Sequence, residues 1–138
     1  MRSLSRTRVE EAKQILSTRS GVAFLARVRA WRDYHQFDLR ERYGPRKPLE
    51  VQVVRLDRNT ALVSLPHEIF VETGISIKAA SPFRNTLVMS LANDIDFYIP
   101  TRRAFEEGSY EITTCPVETG CGELLVQVAT QLLQELKP

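Results

Sequence analysis

Apolar residues recur at helical spacing in two segments at the start of this 138-residue chain. The first segment spans residues 5–18, where Ser5 or Thr7 can cap a helix. The second segment runs from about Val22 to Arg42, and one side of it carries apolar residues three or four positions apart: Phe24, Val28, Trp31, His35 and Leu39. The two patterns predict two amphipathic helices, with His35 as a packed core histidine.

After Pro48 the spacing of apolar residues changes from a helical period to that of a strand. Residues 49–56 alternate between apolar and polar side chains, and a polar turn follows at 57–59. A second apolar run then ends at Pro66, because proline cannot continue a strand ladder. This arrangement predicts an antiparallel hairpin over residues 49–65.

A helix and a third strand follow the hairpin. The helix is predicted from Glu68 to about Ala79, and the strand over residues 86–92, where a continuous apolar run ends in polar residues. The fold class is therefore predicted to be α/β. A small mixed sheet, made of the hairpin and the strand 86–92, is covered by helices and preceded by the two amphipathic helices.

Three short elements are predicted at the end of the chain. Thr101 caps a helix over residues 102–107, and Tyr110–Thr114 is predicted to be extended. The last helix covers one face of the sheet through residues at heptad-like spacing: Leu125, Ala129, Leu132 and Leu136. We expect one domain over residues 1–138, in which a basic helical arm, 1–47, packs on an α/β segment, 48–138.

The formal net charge of +2 hides an asymmetry between the two parts of the chain. Residues 1–48 hold twelve Lys and Arg against five Asp and Glu, whereas residues 49–138 hold seven against twelve. A basic arm beside an acidic body is compatible with binding to nucleic acid or to a membrane surface. Two oppositely charged surfaces of one fold are the simpler interpretation, and nucleic-acid binding is disfavoured.

The sequence also bears on cellular location and on the cysteines. It has no apolar run near the length of a membrane span and no apolar segment behind its basic start, so neither a transmembrane segment nor a signal peptide is predicted. A cytoplasmic location is expected if the chain is a complete gene product.

Cys115 and Cys121 are interpreted as reduced thiols, with no role assigned.

Three motifs lie in order between Leu65 and Glu111: LPHEIFVETGISIK, SPFRNTLVMSLAND and YIPTRRAFEEGSYE. Together they resemble the C-terminal part of the catalytic domain of neutral/alkaline (non-lysosomal) ceramidases and their bacterial relatives. The resemblance extends from about Pro48 to Leu136. Its most specific feature is the pair Tyr98 and Tyr110, twelve residues apart.

The resemblance implies a zinc-dependent hydrolase of linear amides such as N-acyl sphingosine. In that family two histidines, a glutamate and a tyrosine hold the zinc, and a second tyrosine stabilises the oxyanion. Glu68 matches the glutamate ligand, Tyr98 the tyrosine ligand, and Tyr110 the oxyanion tyrosine. Zinc accepts carboxylate oxygen and imidazole nitrogen ligands readily, so the implied ligand set is chemically consistent.

Two departures from the family pattern predict an incomplete site. The family's histidine ligands come from an N-terminal region that this chain lacks. His67 and Phe97 replace two glycines of the pattern, and we expect these larger residues to narrow the cleft. His67 is also a conceivable substitute ligand, although its position next to Glu68 directs the two side chains apart.

Three hypotheses follow from the sequence. The chain is the C-terminal portion or a remnant of a ceramidase-like hydrolase, inactive alone, whose partner is an N-terminal catalytic half or a second copy. Alternatively, it is a non-catalytic binding or assembly module that retains the fold. Nucleic-acid binding through the arginine-rich helices is the weakest of the three, because no nucleic-acid-binding motif accompanies them.

Overall fold

The computed structural model describes residues 4–137, which divide into two compact units on either side of Pro48. We call them the helical unit, up to Pro48, and the α/β unit, from Leu49 onward. The mixed α/β class predicted from the sequence is confirmed. No helix among residues 4–137 is long and apolar enough to cross a bilayer.

The helical unit consists of α1, Arg6–Ser17, and α2, Phe24–Tyr43. The Ser5 hydroxyl caps α1 by accepting from the backbone N–H of Arg8 at 3.4 Å. Between the helices, the guanidinium of Arg8 donates two hydrogen bonds to the carboxylate of Asp33, at 2.7 and 3.1 Å. This bidentate pair explains how a charged residue is buried on α2.

The side of α2 that faces α1 differs from the sequence prediction. Its buried residues include Ala30 and Asp33, whereas Trp31 on the predicted apolar side is 55% exposed. His35 is half-buried and stacks on Trp31, with ring centroids 5.1 Å apart, so it is not the core histidine we expected. Of the predicted apolar side only Leu39 is fully buried, whereas Phe24 and Trp31 are exposed.

The α/β unit contains nine elements in the order β1 (Gln52–Arg55), β2 (Thr60–Ser64), β3 (Glu68–Ile69), α3 (Val71–Ala80), β4 (Asn85–Met89), β5 (Tyr98–Ile99), α4 (Arg102–Glu107), α5 (Tyr110–Thr114) and α6 (Cys121–Glu135). β1 and β2 pair antiparallel, and β4 joins β2 in parallel. The predicted hairpin and the predicted third strand therefore belong to one mixed sheet, as expected. β3 and β5 form a separate two-stranded parallel sheet.

One face of the three-stranded sheet forms the main core. Ala61 and Val63 of β2 are fully buried there, together with Leu65, which follows the strand. From the covering helices, Ile77 of α3 and Ala129 of α6 pack against them, and α6 adds Leu133. The predicted stripe on the last helix is thus correct at Leu125 and Ala129 but not at Leu132 and Leu136, because the buried positions follow a 3.6-residue period.

The other side of the sheet carries exposed apolar side chains. The strand register places Val54, Leu62 and Leu87 in one row across β1, β2 and β4, and Met89 lies two residues further along β4. Val54, Leu87 and Met89 are exposed, and Leu62 is half-buried. We call these four residues the outer sheet face.

Two local predictions were wrong. The helix expected to start at Glu68 begins at Val71, and Glu68 itself lies in β3, where it pairs with β5. The segment Tyr110–Thr114 is helical rather than extended, and the hydroxyls of Thr113 and Thr114 bond to the carbonyl of Tyr110. The first difference comes from long-range strand pairing, which local propensity does not reveal.

Candidate functional site

The site is built where the chain leaves β2 and β4 at the same end of the sheet. The backbone N–H of Leu65 donates to the carbonyl of Met89 at 2.9 Å, and that of Ala92 donates to the carbonyl of Leu65 at 3.0 Å. The two strands therefore stay side by side as they pass into loops. Carboxyl ends of parallel strands are the usual position of ligand sites in α/β sheets.

Glu68 and Tyr98 face each other across the pairing of β3 with β5. The interaction of the Tyr98 hydroxyl with the Glu68 carboxylate is the largest cause of a raised pKa at Tyr98. Burial and the negative charges of neighbouring groups raise this pKa further. Tyr98 is therefore a neutral phenol held against a carboxylate.

Tyr110 lies beside this pair, at the start of α5. Its ring meets the ring of Tyr98 edge to face, with centroids 6.4 Å apart and an angle of 76° between the planes. The side chain of Tyr110 is 60% exposed, so its hydroxyl is accessible to a ligand. The structure thus brings together all three residues that the sequence analysis selected, Glu68, Tyr98 and Tyr110.

A cavity of about 390 Å³ opens at Glu68 and Tyr98. It is lined by apolar and acidic side chains from five segments, namely Ile69, Phe70, Ser90, Leu91, Ala104, Glu107, Gly108, Ser109 and Glu111 in addition to the pair. Glu107 is bound by Arg103 at 2.6 Å, and a hydrogen bond from the Ser109 hydroxyl lowers the pKa of Glu111. Glu111 was missed as a candidate, although it directly follows Tyr110 in the motif.

His67 holds the loop between β4 and β5. It has a left-handed backbone, with φ of 62°, and its N–H and carbonyl bond to Asp94 and Leu91. Its imidazole Nδ1 accepts from the N–H of Asp96 at 3.1 Å, and Nε2 lies 3.6 Å from a carboxylate oxygen of Asp94. The ring is fully buried, so it stabilises the loop and does not line the cavity beside Glu68.

Phe97 packs against the same ring. The centroids of Phe97 and His67 are 3.8 Å apart, and Phe97 is buried. The two residues that replace glycines of the ceramidase pattern therefore contact each other. Neither lines the cavity, so the expected narrowing of the cleft does not arise from their side chains.

The donor atoms at the cavity do not suit zinc on their own. Glu68 and Tyr98 offer two oxygens, and Glu107 at the same cavity is already bound by Arg103. Within residues 4–137, no group of three or more His, Cys, Asp or Glu side chains is arranged to hold a metal ion. A protein zinc site normally uses three or four protein ligands.

The two cysteines lie at either end of the turn between α5 and α6, outside the cavity lining. Both are free thiols, and Cys115 is fully buried. Burial, followed by the neighbouring Cys115, raises the pKa of Cys121 to about 11. The Cys121 thiol is therefore protonated and weakly nucleophilic near neutral pH.

Comparison of the chain with protein-family models, with curated proteins and with solved structures gives no match. The resemblance to ceramidases therefore depends on the motif residues and stays a hypothesis.

Proposed function

We propose that this chain is the C-terminal portion or a remnant of a ceramidase-like, zinc-dependent hydrolase of linear amides of the N-acyl sphingosine type, and that it is inactive alone. The observation that supports this best is the proximity of the three residues: Glu68 and Tyr98 line one cavity, and the ring of Tyr110 packs edge to face against that of Tyr98. Helix capping does not explain the position of Glu68, since the residue lies in a strand. Strand pairing does not require Tyr110 to join it.

Each of the three residues has a role in the proposal. Glu68 and Tyr98 supply two of the oxygen ligands of the family site. Tyr110, with its exposed ring, is suited to donate a hydrogen bond to the amide oxygen as negative charge develops there. One such donor typically contributes about 2.7–4 kcal/mol to the transition state.

The missing histidines are proposed to come from an N-terminal catalytic half on another polypeptide, since a second copy of this chain would bring only His35 and the buried His67. The outer sheet face supports such a partner, because its exposed Val54, Leu87 and Met89 form a row of apolar side chains. β4 contributes Leu87 and Met89 to this face and leads directly into Ser90 and Leu91 at the cavity. A partner that covers this face would therefore have one edge near the cavity that contains Glu68.

The alternative is a non-catalytic binding or assembly module with the same fold. It requires no metal, and no three His, Cys, Asp or Glu side chains of residues 4–137 are grouped to hold one. The coding sequence upstream of this chain distinguishes the two proposals. A histidine-bearing segment there, or in a neighbouring gene, supports the hydrolase portion.

Calorimetric titration of zinc into the full chain tests the assignment of the ligands. We expect weak binding that Glu68→Gln and Tyr98→Phe abolish, because each removes one of two donors. Glu111→Gln is the matched control, since it neutralises a carboxylate at the same cavity, and it should leave the binding unchanged. Equal zinc binding by the wild type and Glu68→Gln would remove Glu68 from the proposal.

A further inference from the structure

β4 forms one edge of the three-stranded sheet, and part of its backbone has no partner within the sheet. The strand order is β1-β2-β4, so β4 pairs on one side only. The N–H of Asn85 donates to the residue before β2 at 2.8 Å, and the carbonyl of Met89 accepts from the residue after β2 at 2.9 Å. Only every second residue of a parallel strand makes such bonds to its neighbour, so Thr86 and Val88 direct their N–H and C=O groups outward. No backbone group of residues 4–137 outside the sheet bonds to them.

The sequence of β4 does not protect this edge. Natural sheets shield an edge strand with charged side chains, proline, a bulge or a covering segment. β1, the other edge, ends in Arg55, whose guanidinium donates to the carbonyl of Leu136 at the end of α6. β4 has the sequence NTLVM, with neither charge nor proline, and it pairs with β2 without a bulge. Its open edge is therefore available to another strand.

Exposed apolar side chains lie beside the open edge on both faces of the sheet. On the outer sheet face, Leu87 is 52% exposed and Met89 47%. On the other face α3 covers β4, because a Cβ built on Gly74 would lie 3.8 Å from the side chain of Val88.

The side of α3 that extends past β4 is apolar as well. Thr73 lies about 100° to one side of Gly74 and faces α6, where its hydroxyl is 3.5 Å from the Cβ position of Gly122. Val71 and Ile75 lie about 60° and 100° to the other side of Gly74, away from α6. These two residues are 71% and 59% exposed. Apolar exposure on both faces of an unpaired edge indicates an interaction surface.

We propose that the open edge of β4 pairs antiparallel with the same edge of a second copy of the chain, about a two-fold axis at Leu87. In this register Thr86 lies opposite the partner's Val88, and Val88 opposite the partner's Thr86. Every outward N–H then meets an outward C=O of the other strand. The two three-stranded sheets become one continuous sheet, and the two-fold symmetry closes the assembly at two chains.

The same register suits the side chains at the edge. Leu87 lies directly opposite its own copy, in the kind of antiparallel pair that brings side chains closest, where two aliphatic groups pack. Arg84 directly precedes β4 and lies opposite the partner's Ser90, so like charges do not face each other. Val71 and Ile75 of α3 extend the apolar contact on the other face of the sheet.

A strand from a different protein is the alternative occupant of this edge. Such a protein would need an unpaired and uncharged strand of its own, whereas a second copy brings the matching edge, and one two-fold pair satisfies both edges at once. The proposal goes beyond the hydrolase hypothesis and does not depend on it, because it uses the edge of β4 and assigns no role to the cavity.

Sedimentation velocity of the full chain over a range of concentrations tests the proposal directly. An interface made by one strand pair and one helix pair is small, so we expect a reversible dimer with a dissociation constant of about 1–100 μM. A chain that is still monomeric at about 1 mM would overturn the proposal and leave the edge to a different protein. Assemblies that grow beyond two chains would contradict the closed two-fold pairing.

Charged substitutions at Leu87 test the register. Leu87→Lys and Leu87→Glu should each weaken the dimer at least about tenfold, because each places two like charges directly opposite one another. An equimolar mixture of the two variants should associate again, since opposite charges then face each other; a mixture that stays monomeric would contradict the register. Val54→Lys is the matched control, because Val54 is 50% exposed on the same face but belongs to β1. It should leave the dimer unchanged, and an equal loss would assign the association to the outer sheet face instead.

Amide hydrogen exchange, followed by NMR, identifies the backbone groups that pair. The N–H groups of Thr86 and Val88 should exchange slowly in the dimer, and rapidly in the diluted chain and in Leu87→Lys, whose folding circular dichroism verifies. Slow exchange of both groups in the monomer would show that another segment of the same chain occupies the edge, and this result would overturn the proposal.

Discussion

The replacement of Tyr98 by phenylalanine removes one hydroxyl and keeps the ring that packs against Tyr110. We expect this hydroxyl to donate to the carboxylate of Glu68 across the register of β3 and β5, because that carboxylate is the largest cause of the raised pKa of Tyr98. Since the pair joins two strands of only two residues each, such a bond should contribute to the stability of that small sheet. Tyr98→Phe should therefore lower the free energy of unfolding.

The expected magnitude follows from the setting of the bond. A hydrogen bond to a charged group contributes about 1.5–3 kcal/mol when it is well buried. Glu68 and Tyr98 are only half-buried, so water can replace part of the lost interaction. We therefore expect a coupling of about 1 kcal/mol, at the upper end of cross-strand pairs. This is below the roughly 2–5 kcal/mol of a large-to-small change in the core.

A double-mutant cycle measures that coupling without the other effects of each substitution. The wild type, Glu68→Gln, Tyr98→Phe and the double variant are unfolded in urea and followed by circular dichroism. The matched cycle uses Glu111→Gln with Tyr98→Phe, whose coupling should stay within about 0.3 kcal/mol. If the two cycles give equal couplings, the hydrogen bond between Glu68 and Tyr98 does not organise the site.

Two further predictions concern ionisation and packing. The absorbance of tyrosinate should show one pKa above the ordinary value of about 10, assigned to Tyr98 by its loss in Tyr98→Phe and lowered by Glu68→Gln. This pKa is higher in the folded than in the unfolded chain, so the stabilisation of the fold by Tyr98 is complete below about pH 10 and is lost as the pH rises through the folded-state pKa. A free energy of unfolding that does not change through this range would contradict the hydrogen bond. Gly122→Ala should lower the free energy of unfolding measured in urea, because the added Cβ would lie 2.9 Å from the carbonyl oxygen of Pro100. Gly74→Ala has its nearest neighbour at 3.8 Å, so it should be neutral or stabilise the fold by up to about 1 kcal/mol. Equal effects of the two alanines would refute the close contact at Gly122.

The sheet was predictable because its signals are local. Two apolar runs, bounded by Pro66 and by the polar residues from Asn93 onward, identified β2 and β4, and alternation identified β1. β3 has no such signal. Its two residues are extended because they pair with Tyr98 and Ile99, about thirty residues away. Long-range pairing of this kind overrides the local pattern that predicted a helix from Glu68.

The helical unit shows why an apolar stripe can mislead. The sequence places Trp31 and His35 on the more apolar side of α2, yet the buried side contains Asp33. From the sequence alone, Asp33 would be predicted to be exposed to solvent. Its partner is Arg8 on the other helix, 25 residues earlier. An ion pair between elements cannot be inferred from the period of either one.

The candidate site was partly predictable for a different reason. Glu68, Tyr98 and Tyr110 were selected from motifs, and the fold brings them together. The role of His67 was not predictable, because it depends on a left-handed backbone and on hydrogen bonds to a loop 24 to 29 residues later. The ceramidase pattern showed that His67 replaces a glycine, but not that Phe97 would pack against the imidazole ring.

The zinc content of the chain, measured together with amide hydrolysis, tests the central claim most directly. The full chain is incubated with zinc, dialysed, and assayed for bound metal and for release of fatty acid from an N-acyl sphingosine. With two oxygen donors and no imidazole at the cavity, we predict far less than one zinc per chain and no measurable turnover. One zinc per chain with turnover that disappears in Glu68→Gln would contradict the claim that the site is incomplete.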